Sequence, residues 1–120
     1  MDTITKPASK FRKKIVRKFP TVTGIGVFNC RKILGSDSWS QHAWGNALDI
    51  FGPRHTLARL AGWATGRFIS RVWKVQTVIW QKQIWSYDWH RWEPYDGVAH
   101  TTHVHVDFRP RKTGVPPCAQ

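Results

Sequence analysis

Apolar residues recur along this chain in two rhythms. In SKFRKKIVRKFP, residues 9–20, Phe11, Ile15 and Phe19 stand at i, i+4 and i+8 with lysine and arginine between them, the spacing of one helical face. Ser9 is placed to cap that helix and Pro20 to end it, which leaves residues 1–8 as a loose basic arm. TVTGIGVFNC is then rich in β-forming residues punctuated by glycine, a polar loop GSDSWSQ follows, and NALDIF reads as a short buried strand stopped by Gly52-Pro53. From Arg54 to about Ser70, Leu57, Leu60, Ala61, Ala64 and Phe68 mark a second helical stripe. VQTVIWQKQIWS alternates into a hairpin with its turn near Gln81-Lys82. YDWHRWEPYDG reads as a tryptophan-rich loop, AHTTHVHVDF as a strand, and residues 110–120 as an irregular tail. No repeat and no linker interrupts this order, so residues 1–120 read as one α+β domain.

The strand in AHTTHVHVDF carries half of the chain's six histidines. Alternation puts His103, His105 and Asp107 on one face, and Val104, Val106 and Phe108 on the other. The second face is a core face. The first is either a solvated pair of imidazoles or one half of a polar site. Asp49 offers a second half, because a carboxylate between Leu48 and Ile50 is costly to bury without a cation or strong donors. His42 lies seven residues earlier, and Gly45 between them allows a tight turn. Two imidazoles and one carboxylate suit Zn²⁺ and leave a fourth position for water.

Composition then narrows the setting. Eight tryptophans and six phenylalanines supply enough large apolar bodies for a packed core. No charged leader precedes a long apolar run, so the expectation is synthesis in a cytoplasm without a signal peptide, and no membrane span. A formal net charge of +12 calls for a polyanionic partner, either nucleic acid or an anionic bacterial envelope. Cys30 and Cys118 form no CxxC pair and read as free thiols, able to bridge only in an oxidising compartment.

Ser40-x-His42-x-x-Gly45-x-Ala47-x-Asp49, followed by His103-x-His105, resembles the paired motif of the zinc peptidases that cut bacterial peptidoglycan. These form the lysostaphin, D-Ala-D-Ala metallopeptidase and sonic hedgehog superfamily. VIWQKQIW resembles one branch of it, so the likeness runs from about residue 10 to 109. The resemblance implies a small antiparallel sheet carrying the metal site, flanked by two or three helices. It implies one Zn²⁺ held by His42, Asp49 and His105, with His103 beside the metal to bind or polarise the scissile carbonyl. By the same resemblance His100 lies near the substrate, Ser40 braces the His42 loop or the Asp49 carboxylate, and Arg31 binds a peptide carboxylate. The implied protein is a monomer that meets peptidoglycan peptides and an anionic wall surface, with no specific nucleic acid. It fits a phage lysin or virion-borne wall enzyme, released by a holin or carried on the virion.

One departure stands out. Many relatives carry a carboxylate three residues before the last ligand, as general base, and this chain has Thr102. His103 or His100 could take over, a carboxylate such as Asp96 or Glu93 could reach in, or the site could bind without cleaving. The last case is a non-catalytic wall-binding module. A further rival is a histidine-hydrophobic-histidine endonuclease using Tyr87 or Tyr95, which leaves His42 and Asp49 unexplained and expects its tyrosine on a helix. His55 and His90 read as surface or packing residues. Trp85, Trp89 and Trp92 read as core, or as the lining of a substrate groove.

Overall fold

The computed structural model, which describes residues 3–97 and 100–120, places the histidine strand inside a six-stranded antiparallel sheet. The strands are β1 (Gly24–Gly26), β2 (Ala47–Phe51), β3 (Val75–Trp80), β4 (Gln83–Ser86), β5 (Arg91–Pro94) and β6 (His103–Phe108). Their spatial order is β1-β2-β6-β3-β4-β5, so β6 sits between β2 and β3. Three helices, α1 (Lys6–Lys18), α2 (Arg54–Ala64) and α3 (Arg67–Val72), complete an α+β fold.

Register decides which side chains meet. Leu48 opposes Val106, Ile50 opposes Val104, and Val78 opposes Val106 from the other side. Directly opposed residues share a face, so these apolar side chains form one buried layer under α1 and α2. Phe11 of α1 stacks on Trp63 at 5.2 Å and meets Phe108 edge-on at 5.4 Å, which ties both helices to β6. The other face of the same strands brings Asp49 opposite His105 and Phe51 opposite His103. Asp107 opposes Ala47 on one side and Thr77 on the other.

Several expectations change. The cap of α1 is Thr5 and not Ser9: its side chain accepts from Ala8 N at 3.4 Å, and Pro7 occupies the first turn, where a missing N–H costs nothing. The segment read as a loose arm is therefore partly helix, and Thr5 N donates to Gly45 O at 3.0 Å; Met1 and Asp2 lie outside the described residues. The second stripe breaks at Thr65-Gly66 into α2 and α3, and the change of phase leaves Phe68 exposed, whereas Leu57, Leu60, Ala61 and Ala64 are buried as expected. The hairpin turn falls at Gln81-Lys82, both with positive φ. Residues 91–94 of the tryptophan-rich stretch form β5, after a turn in which His90 takes a positive φ of 54°.

Cys30 and Cys118 are joined by a disulfide, S–S 2.09 Å, and are not free thiols. The bond fastens the C-terminal segment to the loop after β1. Gln41 reinforces that closure, since its side chain both accepts from Lys112 N at 2.9 Å and donates to Lys112 O at 3.0 Å. Among the described residues no helix is long and apolar enough to cross a membrane.

Candidate metal centre

Asp49 and His105 come from adjacent central strands, whereas His42 arrives on a 3-10 turn, Gln41–Trp44, that immediately precedes β2. Ser40 opens that turn by accepting from His42 N at 3.3 Å, so it braces the His42 loop. Gly45 closes it at φ 68°, where a Cβ would stand 2.7 Å from the Phe28 ring and 2.9 Å from Ile4 Cα. Only glycine fits there. The turn thereby swings His42 back over β2, and its Nε2 lies 3.0 Å from Asp49 Oδ1.

Each imidazole has its far nitrogen engaged by an acceptor. His42 Nδ1 is 2.8 Å from Val27 O, and a carbonyl can only accept, so the N–H is at Nδ1. His105 Nε2 is 2.9 Å from Asp107 Oδ2, so its N–H points at that carboxylate. The lone-pair nitrogens then face inward: His42 Nε2 and His105 Nδ1 are 3.2 Å apart, and Asp49 Oδ1 lies 3.5 Å from His105 Nδ1. Three acceptors meeting in a largely buried corner need a cation between them. With bonds of about 2.0–2.1 Å, the edges of a tetrahedral zinc site are roughly 3.3 Å long. The spacing here fits that edge, and the donor set fits a metal ion.

The electrostatics agree. Burial raises the Asp49 pKa, but hydrogen bonds from His105 and His42, and their charge, outweigh it and hold the carboxyl well below the usual range. Burial works against a charged His105, yet its bonds to Asp107 and Asp49 lift it to about 9. Without a metal, positive charge on His105 would offset the Asp49 carboxylate in this corner.

His103 lies alongside, Nε2 3.6 Å from Asp49 Oδ1, its ring 5.0 Å from Phe51 and its Nδ1 3.2 Å from Thr102 Oγ1. Burial lowers its pKa, with Asp49 opposing. The buried His100 ring is 4.8 Å from His103 and 5.6 Å from His105. Arg31 lines the same cleft of about 210 Å³, together with Ser40, His42, His100 and His105. Each residue predicted for the site is thus in it or on its rim.

Other candidates fall outside. Glu93 is bound to Arg91 at 2.6 Å on β5, and neither Glu93 nor Asp96 lines the cleft. Tyr87 lies under the Arg109 guanidinium at 3.5 Å, and neither tyrosine is on a helix. His55 is exposed, and His90 packs on Tyr87 at 4.7 Å. Trp85 is core and Trp89 is exposed.

Tyr95 and Arg111 also stand on the cleft wall, where no local pattern placed them. Tyr95 follows β5 directly, and Arg111 comes from the tail held by Gln41 and the disulfide; both depend on contacts distant in sequence. Asp107 also borders the cleft, and its buried Oδ1 has no hydrogen-bond partner among the described residues.

A protein-family profile described as VldE, C-terminal domain, matches residues 1–106, a span that includes His42, Asp49, His100, His103 and His105. No curated protein and no solved structure matches the chain.

Proposed function

The chain belongs to the VldE C-terminal domain family, and we propose that it is a zinc-dependent peptidase cutting the cross-links or stem peptides of bacterial peptidoglycan. The observation that carries this reading is the meeting of His42 Nε2, Asp49 Oδ1 and His105 Nδ1 with their lone pairs inward, beside an open cleft. The substrate class comes from the resemblance of the Ser40–Asp49 and His103-x-His105 motifs to peptidoglycan peptidases.

A zinc ion in this corner would lower the pKa of a bound water toward about 7 and polarise a carbonyl. The remaining work falls to the chain's own groups. His103 is pushed toward its neutral form by burial, so at neutral pH it can take up a proton where relatives use a carboxylate. Protonated, it would stabilise a developing oxyanion. Arg31 and Arg111 offer guanidinium groups to a peptide carboxylate. His100 borders the substrate's path. The basic exterior suits an anionic wall, and the whole suits a phage lysin or virion-borne wall enzyme.

A second reading has an observation of its own. Thr102 stands where relatives carry a base, and neither Glu93 nor Asp96 reaches the cleft; this favours a zinc-containing module that binds wall peptide without cutting it. Purified peptidoglycan separates the two. Zinc-loaded protein should release peptides with new amino termini, and His105→Ala should release none. Saturable binding to peptidoglycan with no release by either protein would establish the binding module instead.

A further inference from the structure

Asp49 belongs to two groups of metal-ligating side chains. One is His42, Asp49 and His105; the other is Asp49, His100 and His103, whose ligand atoms all lie within 4.8 Å of one another. We propose that the second group holds a second divalent cation, with the Asp49 carboxylate bridging the two ions. The proposal rests on the first site holding a metal, and it extends that site from one ion to two.

The geometry is that of adjoining sites. Thr102 Oγ1 engages His103 Nδ1 at 3.2 Å, and the opposite nitrogen, Nε2, is turned to Asp49 Oδ1 at 3.6 Å. That is too long for a hydrogen bond and close to the edge of a metal coordination shell. His42 and His105 approach Asp49 Oδ1 at 3.0 and 3.5 Å, so three imidazoles, one from the 3-10 turn and two from β6, surround one carboxylate. All three approaches are to the same oxygen, Oδ1, and a carboxylate oxygen can be shared between two ions, which two-metal sites hold about 3.5–4 Å apart. His100 is anchored for this role by the β3–β4 turn: Gln81 N donates to its carbonyl at 2.9 Å, and Gln81 Nε2 donates to Thr101 O at 3.3 Å.

Three side chains at each ion, with Asp49 shared, leave positions open on both. With Nε2 given to a metal, His103 no longer takes up a proton, so in the two-ion form the second cation replaces the positive charge that the one-ion reading assigns to protonated His103. That bears on Thr102, since a water near two cations depends less on a carboxylate base.

Zinc stoichiometry tests this without reference to activity. Chelator-stripped protein is titrated with Zn²⁺ in a calorimeter, and its bound metal is measured after dialysis. Wild type should take up two equivalents, His100→Ala and His103→Gln one each, and His55→Ala, an exposed control, two. Co²⁺ in place of zinc should give magnetically coupled ions in wild type and an uncoupled ion in His103→Gln. One equivalent in wild type would overturn the second site and leave the first standing. Two equivalents in every variant would also overturn it, as adventitious binding, and no binding by wild type would overturn both sites.

Discussion

His42 Nε2 and His105 Nδ1 face each other at 3.2 Å because each ring directs its N–H the other way, to Val27 O and to Asp107 Oδ2. A backbone carbonyl and a buried carboxylate thus orient both rings, so that the nitrogens turned toward Asp49 are the ones a metal would take. Partners of this kind fix ring orientation and raise ligand basicity.

Asp107 should therefore matter although it touches no ion. Asp107→Asn keeps the shape but removes the charge that orients and enriches His105. Zinc affinity should fall about 10–100-fold, with the circular dichroism of the fold retained. Equal affinities in competition with a chromophoric chelator would remove Asp107 from this role.

The metal-free protein should respond to pH in a defined direction. His105 is held at about 9 in the fold, above its unfolded value of about 6.5. Its contribution to stability is then complete below pH ~6.5 and is lost as pH rises through about 9. Asp49 is depressed, so its contribution is present above pH ~4 and is lost in acid. The melting temperature of stripped protein should drop between pH 6.5 and 9.5. Zinc should flatten that slope, since it replaces the proton. A stripped protein with constant melting temperature across this range would contradict a charged His105 beside Asp49.

The Thr102 position separates two assignments of the base. A bend at residues 101–102 precedes β6 and brings Thr102 Oγ1 to His103 Nδ1. An aspartate there could reach the same imidazole and raise its basicity. Thr102→Asp should raise turnover on peptidoglycan with zinc affinity nearly unchanged, and His103→Ala should abolish it. If Thr102→Asp changes neither the rate nor its pH profile, while His103→Ala removes activity, then His103 already works unaided.

The face assignments were legible because strand alternation has a period of two: a core triplet Val104, Val106 and Phe108 fixes where His103, His105 and Asp107 point. The isolation of Asp49 between Leu48 and Ile50 was legible for the same reason. What joins the two strands was not. The pairing of Asp49 with His105 is a matter of register between segments more than fifty residues apart, and a single-residue slip would have turned Asp49 away. β5 was hidden because His90 takes its positive φ with no glycine to announce the turn. The exposure of Phe68 follows from the break at Thr65-Gly66, which the continuous apolar stripe conceals.

The disulfide was the least legible feature, its cysteines being 88 residues apart. Closing so long a loop constrains the unfolded chain, by about 4–5 kcal/mol in the chain-entropy account. Reduction, or Cys30→Ser with Cys118→Ser, should lower the melting temperature by many degrees. It should also loosen the loop that carries Arg31, read as faster amide exchange there. Identical melting with and without reductant would mean that the bond does not form in solution.

The central claim is that His42, Asp49 and His105 hold zinc, and X-ray absorption at the zinc edge tests it directly. Protein loaded with one equivalent should show a first shell of nitrogen and oxygen at about 2.0–2.1 Å, with outer scattering from two imidazoles and no sulfur. The same measurement on Asp49→Ala/His105→Ala protein should find no bound zinc after dialysis. A sulfur-containing shell in wild type, or stoichiometric zinc retained by the double variant, would contradict the assignment.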